Sequence, residues 1–482
     1  MTQEPRPLAE LVDELIDATV PDATLIDPAG VAPDVGVTDV THDSRQIAPG
    51  AVFCCVRGAT TDGTRFAADA VAAGAVALLV EEPVDLPVPQ IVVPSVRTAM
   101  AHLAAELWGH PERSLATVGV TGTNGKTTVV TLIGEILSAA GRSARVIGTL
   151  TGARTTPEST DLARQLAEAV ADGVEVVAME VSSHALALDR VAAVRFDVAA
   201  FTNLGADHLD FHGTQERYFE AKSRLFRPER SRVAVLNTED VHGRLLRDTL
   251  TADDDPVVVE VAASAVAPVL DHRGSRFTWR GHEVDLPLAG RFNVTNALVA
   301  AECVVALGVP AADVAAALAS VVAPPGRFEL VDEGQPFAVV VDYAHTPDAI
   351  DGVLETAREV TTGELVVVLG AGGDRDRSKR GPMGAAACRG ADVVIITSDN
   401  PRSEDPSTIM SAVADGCAGA TPILEIDRRS AIRTALTGRR PGDTVVIAGK
   451  GHETTQTIGD QVLPFDDRQV AREELRALGW SS

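Results

Sequence analysis

Short apolar runs recur along the chain, and most end in small or polar residues. "AVALLVEE", "LATVGVTG", "EVVAMEVSS", "DVAAFTN", "VAVLNTED", "FAVVVDYA", "ELVVVLGAGG", "DVVIITSDN" and "DTVVIAGKG" are the clearest. Consecutive Val, Ile, Leu and Ala over so short a span predict strands covered on both faces. Ala-rich stretches of helical composition separate them, and that alternation predicts α/β architecture with mostly parallel sheets. The segment 257–288 has short alternating runs and few helix formers, which predicts an antiparallel insertion. No internal repeat or low-complexity tract is visible.

Two breaks divide the pattern. "WGHPERS" (108–114) precedes one fresh strand and "APPGRFELVDEG" (323–334) another. Three domains are therefore expected: a smaller N-terminal α/β domain (1–111), a central domain (112–329) and a C-terminal Rossmann-like α/β domain (330–482). Open α/β sheets bind ligands beyond the carboxyl ends of their strands. Those ends carry "GTNGKTT", "EVSSH", "DYAHTP", "GAGGDRDR", "SDNPRSE" and "GKGHE".

Composition narrows the partners. The formal charge is −26, from 42 basic and 68 acidic residues. That argues against nucleic acid or an anionic membrane as the main partner. An anionic substrate would need locally concentrated Arg, Lys or Mg²⁺. No apolar stretch is long enough to span a bilayer, and the acidic N-terminus lacks a signal-peptide pattern. A cytoplasmic protein is expected. Five cysteines (Cys54, Cys55, Cys303, Cys388, Cys417) form an odd set without CxxC spacing, suggesting neither a disulfide framework nor a zinc site. Only four of the basic residues are lysine: Lys126, Lys222, Lys379 and Lys450. An ammonium is a compact phosphate ligand and, when neutral, a nucleophile, whereas Arg is neither. All four fall in motif-like stretches.

"TGTNGKTT" (121–128) joins a strand-like run to the helix-like "VVTLIGEIL". Such a loop offers backbone N–H groups to phosphates, its Lys reaches the terminal phosphates, and the next hydroxyl ligates Mg²⁺. Gly122, Gly125, Lys126 and Thr127 fit those roles, so ATP is expected here. The first Gly of GxxxxGK[ST] falls on Val120, with Gly119 one place early. Glu180 ends "VEVVAME" and suits the acidic Mg²⁺ partner, although alone it also reads as a solvated strand-end carboxylate. "TNLGADHLDFHGT" gathers Asp207, His208, Asp210 and His212, with Lys222 close behind. A neutral, partly buried Lys can add CO₂ and become an anionic carbamate ligand. "GAGGDRDRSKRG" is not a dinucleotide fingerprint, because its third Gly would fall on Arg375.

Taken together, "TGTNGKTT", "MEVSSHALALDRV", "NLGADHLDFHGT…YFEAKSRLF", "GRFNVTNALVA", "PPGRFE", "DYAHTPDA", "SDNPRSEDP" and "GKGHE" resemble the Mur ligase family of ATP-dependent amide ligases. "THDSRQIAPGAVFCCVRGATTDG" resembles that family's UDP-binding N-terminal domain, so the resemblance covers essentially the whole chain. It is nearest to the members that add the third residue of the peptidoglycan stem peptide. The resemblance implies that Gly122, Thr123, Asn124, Gly125, Lys126, Thr127 and Thr128 hold ATP, with Asn296, Arg327, Asp342 and His345. It implies Mg²⁺ at two sites on Thr127, Glu180, His208 and Lys222, the last as N6-carboxylysine. Lys126, Lys222, Glu180 and His208 form the implied catalytic set. Ser44, Thr155, Thr156, Ser182 and Arg190 would grip the UDP-muramoyl-peptide; Leu188 stands where some relatives carry a polar residue.

The resemblance implies UDP-MurNAc-L-Ala-D-Glu as acyl donor and meso-diaminopimelate as acceptor, with Arg375, Asp399, Asn400, Pro401, Arg402, Gly449 and Glu453 around the latter. "DNPR" agrees physically: a guanidinium grips a distal carboxylate bidentately and repels the ammonium of lysine. Glu453 would suit the distal ammonium. Neither nucleic acid nor membrane is implied, and a monomer is expected. The rivals are the same reaction with L-lysine or another diamino acid, and a phosphate-loop kinase or NTPase that makes no amide bond.

Overall fold

The computed structural model describes residues 4–28, 30–58, 61–205, 207–250 and 256–480. Ala59 and Thr60 of the opening motif, and Ala206 of the histidine loop, lie outside the described residues. Three sheets follow one another along the chain. The first has five strands within residues 24–92, four of them parallel in sequence order, with Thr24–Ile26 antiparallel at one edge.

The central sheet has six parallel strands. Their order is Val257–Val261, Ser231–Asn237, Phe196–Phe201, Ala116–Thr121, Val176–Glu180, Ala144–Ile147. Ala116–Thr121 is thus the point where the chain order reverses, the crevice position that ligands favour. Its strands are apolar throughout because both faces are covered. Val118, Val120, Val176, Ala178, Val198 and Ala200 pack on one side with Val129, Ile133 and Val294 of two helices. Val177, Met179, Ala199, Phe201 and Leu236 pack on the other with Leu162, Leu186 and Leu225. Burying one such side chain contributes roughly 1.5–3 kcal/mol.

The central sheet corrects one expectation. Val257–Val261 pairs in parallel with Ser231–Asn237; only residues 269–286 form an antiparallel sheet, of three short strands. Val257–Val261 is an edge strand with Val257 and Glu260 exposed, and such partial exposure occurs beside a parallel partner as well as an antiparallel one.

The third sheet has the order Glu329–Leu330, Ala338–Asp342, Thr444–Ala448, Leu365–Leu369, Val393–Ile396, Ile423–Leu424, parallel except for its first strand. Cys388 and Cys417 are joined by a disulfide across 29 residues. This corrects the expectation from cysteine spacing: the contact arises from packing of helices Arg380–Gly390 and Pro406–Ala414, which spacing does not reveal. Cys54, Cys55 and Cys303 are buried free thiols. No helix among the described residues is long and apolar enough to cross a membrane.

His102, on helix Val96–Leu107, is pushed down to about 4 by burial and then by the nearby cations Arg230 and His110. The unfolded chain takes up this proton near pH 6.5 and the folded chain only near 4. Between those values the unfolded state holds more protons, so stability falls on acidification. We expect His102→Gln to reduce the stability lost between pH 7 and pH 5 by about 1–2 kcal/mol in denaturant titrations. An unchanged slope would contradict burial of a neutral imidazole.

Candidate active site

The loop 122–125 leaves the central strand and enters helix Lys126–Ala139. Gly122 has φ +151° and a Cβ there would lie 1.8 Å from Thr202 Oγ1. Gly125 has φ +85° and its Cβ would stand 2.5 Å from Asn296 Oδ1. Both positions therefore demand glycine. Gly119 answers to packing instead, since the Phe196 ring lies 2.9 Å from where its Cβ would be. That explains the offset from the consensus spacing.

Not every N–H of the loop is open. Thr123 N donates to Asn203 O (2.9 Å) and Asn124 N to Asn203 Oδ1 (2.9 Å). The helix that follows has no side-chain cap. Its leading N–H groups thus point, uncapped, into the crevice, where an anion is favoured.

Lys126 Nζ donates to Gly122 O and Thr123 O, both at 2.8 Å. Lys222 Nζ, on the buried face of helix Gln215–Ser223, donates to the same Gly122 O at 2.7 Å and stands 4.5 Å over the Tyr218 ring. Burial, then the Lys126 charge, push the Lys222 ammonium well below its ordinary range. Burial lowers Lys126 also, opposed by Glu180. Among the described residues, neither Nζ has a carboxylate within ion-pair distance.

Glu180 is buried and accepts from Thr127 Oγ1 (3.0 Å) and Thr149 N (2.8 Å). Thr127 and Glu180 thus form one oxygen-donor pair beside the loop. His208 is not joined to them. It sits at φ +53°, with Nε2 3.5 Å from Asp207 and its ring edge-on to His184 at 4.7 Å. No group of three His, Cys, Asp or Glu among the described residues could hold a metal ion.

Behind Glu180, Thr156 Oγ1 donates to Glu180 O (2.8 Å) and accepts from Ser182 N (3.0 Å). Arg190 donates to Thr156 O (3.2 Å) and pairs with Glu158 at 2.7 Å. Thr155 Oγ1 lies 3.1 Å from Thr149 Oγ1. These four predicted residues are therefore assembled. Ser44 belongs to the N-terminal unit, in the short helix Ser44–Gln46. Its loop approaches through His42 Nδ1, 3.2 Å from Thr160 Oγ1.

A second cluster caps the C-terminal sheet. Arg327 lies 4.7 Å over the Tyr343 ring, and its buried Nε has no hydrogen-bond partner. Asp342 accepts from Phe328 N and Ala344 N, and burial raises its carboxyl. His345 Nδ1 stands 2.7 Å from Tyr343 O. Gly326 closes on the loop 449–453, since a Cβ on it would lie 2.0 Å from Gly451 C.

In that same sheet, Arg402 adopts φ +51°, which costs a non-glycine residue about 1–2 kcal/mol. Hydrogen bonds hold it there: its N donates to Thr457 O, its O accepts from Gly459 N, and Nη1 reaches Gly373 O at 2.6 Å. Arg402 and the exposed Arg375 flank Gly372, whose Cβ would lie 3.1 Å from Arg402 Nη1 and 3.6 Å from Arg375 Cγ. Asn400 Nδ2 donates to Glu453 Oε2 (2.8 Å), and a Cβ on Gly449 would sit 2.7 Å from Asp399 Oδ2. Pro401 is buried beneath them.

Sequence reasoning missed Tyr218 and Tyr343. They are the only tyrosines in the chain, so the scarcity argument applied to lysine would have found both. It also gave no role to Lys379, which pairs with Asp207 at 3.4 Å across the central and C-terminal units.

Residues 36–108 match the Mur ligase family, catalytic domain; 120–304 match the Mur ligase middle domain; 326–451 match the Mur ligase, glutamate ligase domain. A UDP-N-acetylmuramoyl-L-alanyl-D-glutamate--2,6-diaminopimelate ligase of Streptomyces coelicolor is 44% identical, covering 96% of this chain and 97% of its own. A ligase of the same name from Geobacillus thermodenitrificans is 44% identical, covering 92% and 95%. A solved structure of a ligase so named aligns with a TM-score of 0.71 at 32% identity, over 98% of this chain and 99% of that one. A MurF from Acinetobacter baumannii shares the fold, with a TM-score of 0.65 at 19% identity over 93% and 96%. The chain belongs to the Mur ligase family.

Gly122→Ala should lower the melting temperature by several degrees more than Gly141→Ala, whose Cβ would meet nothing within 4 Å although its φ is +76°. Equal shifts in calorimetry would mean that the close approach to Thr202 is not what constrains Gly122.

Proposed function

We propose that the protein is an ATP-dependent amide ligase joining the D-Glu γ-carboxylate of UDP-MurNAc-L-Ala-D-Glu to an amine of meso-diaminopimelate. The observation that carries the ATP half is the pair of lysines on Gly122 O, without a carboxylate partner among the described residues, beside an uncapped helix N-terminus. On a chain of net charge −26, Lys126 and that helix N-terminus make a local positive spot suited to a triphosphate. The named relatives support the acceptor half, as do Arg402 and Glu453 on loops joined by the Asn400–Glu453 hydrogen bond.

Thr127 and Glu180 fit Mg²⁺, which takes hard oxygens from one or two protein groups and completes its shell with phosphate and water. The metal would neutralise phosphate charge as it moves. His208 would join this set only after a local rearrangement. Lys222, with its ammonium disfavoured, is the residue we assign to carbamylation.

In this reading Thr156, Ser182 and Arg190 fix the acidic muramoyl-peptide, with Thr155 and Ser44. Its γ-carboxylate attacks the γ-phosphate in line, giving an acyl phosphate and ADP. Lys126 and the helix N-terminus hold the phosphates and stabilise the charge that shifts toward ADP. Arg327, Asp342, His345 and Asn296 line the nucleotide's other side. Arg402 and Arg375 take the distal carboxylate of the acceptor and Glu453 its distal ammonium. The near amine then attacks the acyl carbon, phosphate leaves, and the amine proton passes to solvent. Three domains, near 1–111, 112–329 and 330–482, would bring three substrates together, in the cytoplasm and as a monomer. Closure over the crevice keeps water from the acyl phosphate.

Phosphate release with the muramoyl-peptide should require diaminopimelate and should not proceed with L-lysine. Arg402→Ala should cut kcat/KM for diaminopimelate by roughly 100-fold, as expected on losing a charged bidentate contact. Equal turnover with lysine would remove the acceptor assignment; release without any amine would favour a hydrolase.

A further inference from the structure

Lys450 is the one lysine with no exposure at all, and the reaction described above does not use it. It lies on the loop that follows strand Thr444–Ala448, under the residues assigned to the acceptor. Its three donors find Thr455 O at 2.6 Å, Glu453 Oε2 at 3.1 Å and Asn400 Oδ1 at 3.4 Å, while Asp399 Oδ1 lies 4.0 Å away. An arginine fork could not serve these acceptors from the same point.

The contacts dictate two orientations. Glu453 Oε2 is tied back by Lys450 and by Asn400 Nδ2, which leaves Oε1 without a protein donor among the described residues. Asn400 Oδ1 accepts from Thr457 N at 2.9 Å as well as from Lys450. A flipped amide would set its NH₂ against the Lys450 ammonium, so the observed orientation is the favoured one.

The charges do not balance. Arg428 is bidentate with Asp467, and both side chains are fully buried. Lys450 faces Asp399 and Glu453. Three carboxylates thus surround two cations, and Glu453, a third exposed, is the outermost. The oxygen of this group left open to a cation is Glu453 Oε1.

Resting on the function proposed above, we infer that Lys450 is a positioning residue for the acceptor: it holds Glu453 so that Oε1 meets the distal ammonium of a diamino acid. Selection between acceptors with and without that ammonium then runs through Lys450, although Lys450 touches neither.

The test compares kcat/KM for meso-diaminopimelate and for 2-aminopimelate, which keeps both carboxylates but lacks the distal amine. Lys450→Met should lower the preference for diaminopimelate by about 10- to 100-fold, through KM rather than kcat and with the KM for ATP unmoved. Glu453→Gln should lower the preference as far, and the double variant no further. Lys450→Gln replaces the Met variant if that does not fold. Parallel weakening of both acceptors, or additive losses in the double variant, would overturn the inference and leave Lys450 a packing residue. A wild type that prefers diaminopimelate while the Lys450 variants keep that preference overturns this inference alone. A wild type that never consumes diaminopimelate overturns the proposed function with it.

Discussion

Two ammonium groups share one carbonyl oxygen, that of Gly122, in the floor of the crevice. Like charges this close, with no carboxylate paired to either among the described residues, stand in a poorly solvated place at a cost. The rest of the site is arranged around that tension. Gly122 must lack a Cβ so that the strand can turn beside Thr202, and Tyr218 walls the second lysine with its ring face. Glu180 stands close enough to oppose the loss of the Lys126 proton, yet it spends its oxygens on Thr127 and Thr149. That repulsion, at the reversal point of a parallel sheet, would be relieved by the proposed carbamylation of Lys222 and by a phosphate chain on Lys126.

The C-terminal sheet gathers both signs. Its strand ends hold a buried group of three carboxylates and two cations, with Arg402 set beside it in a strained backbone conformation. The central and C-terminal units meet through the Lys379–Asp207 pair. A shift between the units would change that contact.

Much of this is legible in the amino-acid sequence alone. Consecutive apolar residues mark the parallel strands because burial on both faces leaves no polar positions, and the loops after them hold nearly every site residue. The failures have physical causes. Val257–Val261 is a sheet edge with Val257 and Glu260 exposed, and that partial exposure does not tell a parallel partner from an antiparallel one. Cys388 and Cys417 meet through helix packing, which their spacing of 29 residues does not encode. Lys450 and the two tyrosines stand inside quoted motifs but support other side chains, so the motifs assign them no ligand. Their rarity in the composition is the available signal. His208 is grouped with Glu180 by family pattern, whereas here it turns toward Asp207 and His184.

The most direct measurement follows oxygen. UDP-MurNAc-L-Ala-D-Glu labelled with ¹⁸O in the γ-carboxylate would be turned over with ATP and meso-diaminopimelate, and the released phosphate examined by mass spectrometry. Attack of the carboxylate on the γ-phosphate predicts one ¹⁸O in each phosphate released, matched by one amide formed. Unlabelled phosphate would mean that water, not the substrate carboxylate, attacks ATP, and would contradict amide ligation through an acyl phosphate.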